Sequence, residues 1–169
     1  MKIGFLFISL ALIFRPGMTL KAGGKPGSQQ NFDKSGYYHV MAAGDLAAID
    51  SEMVVLTRAM PKEAAAYEGA LQMKKAGLLH RPKEKLTVFH AGAVKLETAL
   101  ARDSSNGEYH FLRLIIQEHV PAIVHYHNDT EKDSQFIYRV FKTLSPVVQK
   151  AILDYSPHSK LLRAKELNG

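Results

Sequence analysis

Residues 82–102 read PKEKLTVFHAGAVKLETALAR, and this stretch decides the fold. Leu86, Phe89, Ala93, Leu96 and Leu100 recur at spacings of three, four, three and four, which puts them on one face of an α-helix. Pro82 suits the first turn of that helix, where its missing N–H loses no partner. The pattern breaks at the polar run Arg102-Asp103-Ser104-Ser105-Asn106-Gly107 and resumes from Glu108 to His119, with Phe111, Leu112, Ile115 and Ile116 again at helical spacing.

The same punctuation divides the rest of the chain. Asp45, after Gly44, reads as the N-cap of a helix carrying Leu46, Ile49, Met53 and Leu56 on one face. Pro61 opens a segment with Ala64, Tyr67 and Leu71 that stops at Ala76-Gly77, and its small residues Ala64, Ala65, Ala66 and Gly69 would admit a neighbouring helix. Thr130-x-x-Asp133 is close to a capping box ahead of Phe136, Ile137, Val140 and Phe141. Ser145-Pro146 and Ser156-Pro157 each pair a serine N-cap with a first-turn proline, opening Val147 to Tyr155 and a last helix around Leu161 and Leu162. No run alternates with period two for long enough to build a sheet. The reading is all-α, with about six or seven short helices whose tight turns make them antiparallel neighbours in a hairpin array or bundle.

The segment Leu96-Glu97-Thr98-Ala99-Leu100, the turn Asp103-Ser104-Ser105-Asn106, and Glu108-Tyr109-x-x-Leu112 together resemble the junction between two tetratricopeptide repeats. That resemblance implies helical-hairpin packing and, with it, a role in binding rather than catalysis. Ser104 stands where the repeat has proline, and Arg113 stands where it has a small glycine. The stretches Tyr67 to Gly77 and Glu108 to Glu118 also resemble uncharacterised exported all-helical bacterial proteins.

At the N-terminus, Lys2 precedes an apolar run of twelve residues, Ile3 to Phe14, followed by Arg15-Pro16-Gly17 and small residues. This is the layout of a secretory signal peptide over residues 1–22, with cleavage between Met18 and Gly24. A bilayer-spanning helix needs about 17 to 25 apolar residues, so the run is too short for a stable anchor. Residues 23–36 read as a polar, glycine-rich flexible linker and residues 37–169 as a single helical domain. The chain contains no cysteine, which excludes disulfides, thiolate metal sites, a cysteine nucleophile and a lipid-attachment cysteine. The expected product is an exported, soluble periplasmic or secreted bacterial protein.

Lys2, Arg15 and Lys21 belong to the leader, which has no acidic residue, so half of the net charge of +6 leaves with it. The remaining basic residues are interleaved with Glu63, Glu68 and Glu84 in the manner of a solvated helix surface, and they form no footprint for nucleic acid.

One motif has the composition of a reactive site. His125-x-His127-x-Asp129 resembles the metal-binding signature of metallo-β-lactamase-like hydrolases, in which two imidazoles and an aspartate hold water-activating metals. Here Thr130 replaces the histidine that follows the aspartate, and only His158 lies downstream to add a ligand. On a helix, residues two apart point about 200° away from each other, so His125 and His127 would need an extended backbone to share a metal. The acidic pairs Asp50/Glu52 and Glu131/Asp133 have the same spacing and diverge. No serine lies in a nucleophile elbow, and no phosphate-binding glycine loop is present. The seven tyrosines, spread over nearly every helix, either ring the core or share a binding groove. The reading leans away from an enzyme and toward a cofactor-free module that binds a ligand or another envelope or secreted protein, with a small metal-dependent hydrolase as the alternative.

Overall fold

The computed structural model describes residues 32–59 and 64–167. The signal-peptide reading of residues 1–22, most of the linker and the helix start at Pro61 lie outside the described residues. Among the described residues the regular structure is wholly helical, without a strand.

Eight α-helices are present among the described residues, not six or seven: α1 (Lys34–Ala43), α2 (Leu46–Ala59), α3 (Ala64–Leu78), α4 (Pro82–Arg102), α5 (Gly107–Gln117), α6 (Thr130–Val140), α7 (Pro146–Tyr155) and α8 (Ala164–Leu167). The additional helix is α1, whose first turn takes Lys34, Ser35 and Gly36 from the expected linker. Asp33 caps it by accepting a hydrogen bond from Ser35 N at 3.0 Å. Gly44 ends it in the left-handed region, at φ 66°, a conformation that costs glycine little. Asp45 then caps α2 as expected, accepting from Ala48 N at 2.8 Å.

Three other expectations are corrected. Thr130-x-x-Asp133 forms no capping box, because Thr130 donates back to the His127 carbonyl and the Asp133 side chain is turned to other partners in the interior. Ser156 donates to the Leu153 carbonyl and begins only a single 3-10 turn, Ser156–His158. The last helix follows Leu161 and Leu162, which form no part of it.

Helices α3 and α4 pack on each other most extensively, and two glycines set their separation. A Cβ on Gly69 would lie 2.6 Å from the Gly92 carbonyl oxygen, and one on Gly92 would lie 2.6 Å from the Gly69 carbonyl oxygen. The backbones therefore touch where any other residue would hold them apart. Packing also joins α1 to α7 and α3 to α5, so elements distant in sequence are neighbours and the simple antiparallel array is not what forms. A linear repeat array would put each unit only against the next.

Helix α5 occupies the centre. Tyr109, Leu112 and Ile116 enter a core with Tyr37, Ile49, Leu71 and Leu96, while Phe111 and Leu114 enter a second core with Ile137, Ile152 and Leu162. Each such large apolar side chain contributes about 1.5–3 kcal/mol when fully buried. Because successive faces of α5 serve both cores, nearly all of its residues are buried, including Glu108, His110 and Arg113.

The glycine contact makes a measurable prediction. Gly69→Ala or Gly92→Ala should lower unfolding free energy by about 1–3 kcal/mol, since backbone lies opposite and cannot yield as a side chain would. Gly77→Ala, whose Cβ would meet nothing within 4 Å, should be neutral or gain up to about 1 kcal/mol. Urea unfolding midpoints of the three variants distinguish these outcomes.

Candidate functional site

The His-x-His-x-Asp motif does not assemble. His125 lies exposed at the end of the 3-10 turn Ala122–Val124 with a left-handed φ of 53°. His127 has a buried Nε2 without a protein partner. Asp129 is occupied by cations, 3.4 Å from Arg113 and 3.8 Å from Lys132. Among the described residues no group of three or more His, Asp or Glu side chains is placed to hold a metal ion.

The charged groups that do converge lie at the junction of α4, α5 and α6. Asp133 is 0% exposed and takes two hydrogen bonds from Arg113, with Nε and one terminal nitrogen each 2.7 Å from its oxygens. His110 Nδ1 lies 2.6 Å from Asp133, and its Nε2 lies 2.9 Å from the Ser104 carbonyl oxygen. Arg113 continues to Glu97 at 2.9 Å, and Glu97 accepts from the Tyr126 hydroxyl. Burial works against the charged guanidinium, yet the hydrogen bonds and charge of Asp133 outweigh it and hold the Arg113 pKa above its ordinary value. Every polar group in this set is occupied by another, so its chemistry is that of an internal brace.

The open feature is an apolar groove of about 1300 Å³, bordered by α1, the end of α3, the start of α4, α5, the 120–124 turn and α7. Met41, Met73, Phe89, Phe111, Ile115 and Ile116 line it. Large apolar side chains also stand along it in water: Leu86 is 51%, Ile123 82% and Val147 39% exposed. Leu86 belongs to the stripe that defined α4 in the sequence, so the inward-facing pattern continues past the core into the groove. Compact ligand pockets measure about 300–1,000 Å³, so this space suits an extended apolar occupant.

The tyrosines divide between the two alternatives. Only Tyr38 and Tyr155 line the groove, and their hydroxyls donate to Glu108 at 3.0 Å and to Glu118 at 2.8 Å. Tyr37, Tyr67 and Phe32 form edge-to-face contacts in the first core, with Tyr37 and Tyr67 centroids 5.2 Å apart. Tyr126 packs on Phe89 while bonding Glu97.

Sequence reasoning did not single out the brace or the groove. Arg113 carried a signal, as a cation in an apolar run at the place where the resembled repeat has glycine. The groove carried only a fragment of one, in Leu86 and two of the seven tyrosines, since its walls come from five helices and a turn that no periodicity relates. No protein family matches the chain, and no curated protein or solved structure matches it either.

Two outcomes follow from these charges. Arg113→Met, similar in volume, would leave the buried Asp133 carboxylate with His110 alone and should cost about 3–5 kcal/mol in denaturant unfolding. Tyr37, Tyr38 and Tyr67 are held above the ordinary tyrosine value first by burial and then by Glu108, Tyr126 by burial and Glu97, and Tyr155 by burial and Glu118. Their folded pKa values exceed the unfolded value of about 10, so the stabilisation is complete below about pH 10 and is lost as pH rises further. Thermal unfolding followed by tyrosinate absorbance should show ionisation of these rings accompanying unfolding rather than preceding it.

Proposed function

We propose that this protein is an exported, non-enzymatic binding module that takes an apolar ligand into the groove beside α5. The supporting observation is the groove itself, with Leu86, Ile123 and Val147 held at the surface around a lining of aromatic and aliphatic side chains. A contiguous exposed apolar surface of this kind on a folded chain marks a place where something binds. The brace at Asp133 fits the same reading, because it commits the buried carboxylate, guanidinium and imidazole to structure. No comparable observation favours the hydrolase reading of His125, His127 and Asp129.

The export part of the proposal rests on the leader layout of Lys2 and Ile3 to Phe14. It agrees with the finding that no helix among the described residues is long and apolar enough to cross a membrane. The hairpin turn from Asp103 to Asn106, with Asn106 accepting from Glu108 N and Tyr109 N, supports the tetratricopeptide-like resemblance at that junction. That resemblance concerns the hairpin alone.

Gly77 supplies the test. It lines the groove and has open space around its missing Cβ, so Gly77→Trp should add bulk to the groove without displacing backbone. The full chain should bind the neutral dye Nile red saturably, and the variant should bind about tenfold more weakly, a difference of about 1.4 kcal/mol, at an unchanged melting temperature. Unsaturable dye uptake, or equal affinity in the variant, would count against the groove as the binding site.

A further inference from the structure

The charge around the groove is lopsided. On the α7 side Lys150 is neutralised by Asp154, with its ammonium 2.9 and 2.7 Å from the two carboxylate oxygens. At the α3 end stand Lys74 and Lys85, both half-buried and both lining the groove. Lys85 Nζ lies 3.4 Å from the Gly77 carbonyl oxygen, one helical turn from Lys74. The Lys74 side chain extends beside Gly44, the end of α1. Neither lysine forms an ion pair with a described residue, whereas the adjacent Lys75 is paired with Asp50. The remaining titratable groups along the groove are His39, His119, His158, Tyr38 and Tyr155, and Asp154 is its one carboxylate among the described residues.

An uncompensated pair of cations at one end and a long apolar lining beyond it make a head-and-tail pattern. Resting on the groove-binding reading, we propose that the occupant is a free long-chain fatty acid, its carboxylate held by Lys74 and Lys85 and its acyl chain lying along Phe89, Ile115 and Ile116. The charge pattern disfavours the chain's own apolar segment Ile3 to Phe14, because its flanks, Lys2 and Arg15, are basic and would bring cations to cations. A partner helix is less well suited too, since it would lay an apolar face along the groove and leave the two ammoniums at one end without a matching anion.

Displacement of Nile red from the full chain by dodecanoate and by dodecanol separates head from tail. Dodecanoate should compete about tenfold more strongly than dodecanol, as expected for a charge-assisted contact. Lys74→Gln/Lys85→Gln should remove most of that preference while leaving the affinity for dodecanol unchanged. If the double variant melts early, Lys85→Gln alone gives the same readout in smaller measure. Equal competition by acid and alcohol in the unsubstituted chain would overturn the fatty-acid proposal and leave the groove reading standing. Failure of the dye and both amphiphiles to bind saturably would overturn the two together. An acid preference that survives both substitutions would remove the lysines from the head-group site. Co-sedimentation with phosphatidylglycerol vesicles that depends on these lysines, without dodecanoate binding, would assign them to a membrane surface and overturn the proposal.

Discussion

The structure depends on finding partners for one buried negative charge. Asp133 has no exposure to water, and an unpaired carboxylate in such a place is untenable. Its partners, Arg113 and His110, both lie on α5, three positions apart and therefore on one face of that helix. The requirement thus fixes the rotation of α5 about its axis as well as its position against α6. Once that face is committed, the opposite faces of α5 are available to both cores. Phe111 and Leu114 go to one side, Tyr109 and Leu112 to the other, and Ile115 and Ile116 reach the groove.

The brace also explains why the helices close up differently from a simple stack of hairpins. Arg113 reaches Glu97 on α4, and Tyr126 beyond α5 reaches the same Glu97, so one polar chain crosses from α4 to the turn before α6. The Gly69–Gly92 contact in turn brings α3 and α4 to backbone contact. The two constraints act at different positions on α4, one polar and directional at Glu97 and the other steric at Gly92. Between them they set where its N-terminal half, with Leu86 and Phe89, stands relative to α5.

Local chemistry made much of the helical content legible. Pro82 and Asp45 mark helix starts because a first-turn proline and an N-cap act within a few residues, and the stripe from Leu86 to Leu100 marks a face because helical geometry is periodic. What escaped was nonlocal or atypical of its residue. Lys34 to Gly36 look like linker, yet they are ordered by the Asp33 cap and by Lys34 pairing with Glu108, a residue 74 positions away. Thr130-x-x-Asp133 imitates a cap, but a buried cation on another helix competes more strongly for the carboxylate than the backbone does. His125, His127 and Asp129 imitate a ligand set, but the left-handed backbone at His125 and the cations beside Asp129 take each residue in a different direction. The groove was beyond reach because it is defined by what five helices leave unfilled.

That unfilled space is the strongest departure of this chain from the rules that shape the rest of it. Elsewhere small residues serve close packing, as at Gly69 and Gly92. Along the groove Ala42, Gly77 and Ala151 leave room for larger side chains, and Gly77 has nothing near its missing Cβ. Larger apolar side chains at such positions would add burial and stability, while Leu86 and Ile123 now lose theirs to water. A sequence consistent with its fold at most levels breaks the pattern where function requires it. On the binding proposal, an apolar occupant of the groove stabilises the folded chain, since any ligand that binds only the native state raises its stability by mass action. The ammoniums of Lys74 and Lys85 follow the same logic, since neither has an ion-pair partner among the described residues and both stand at the one end of the groove where an external anion could supply it.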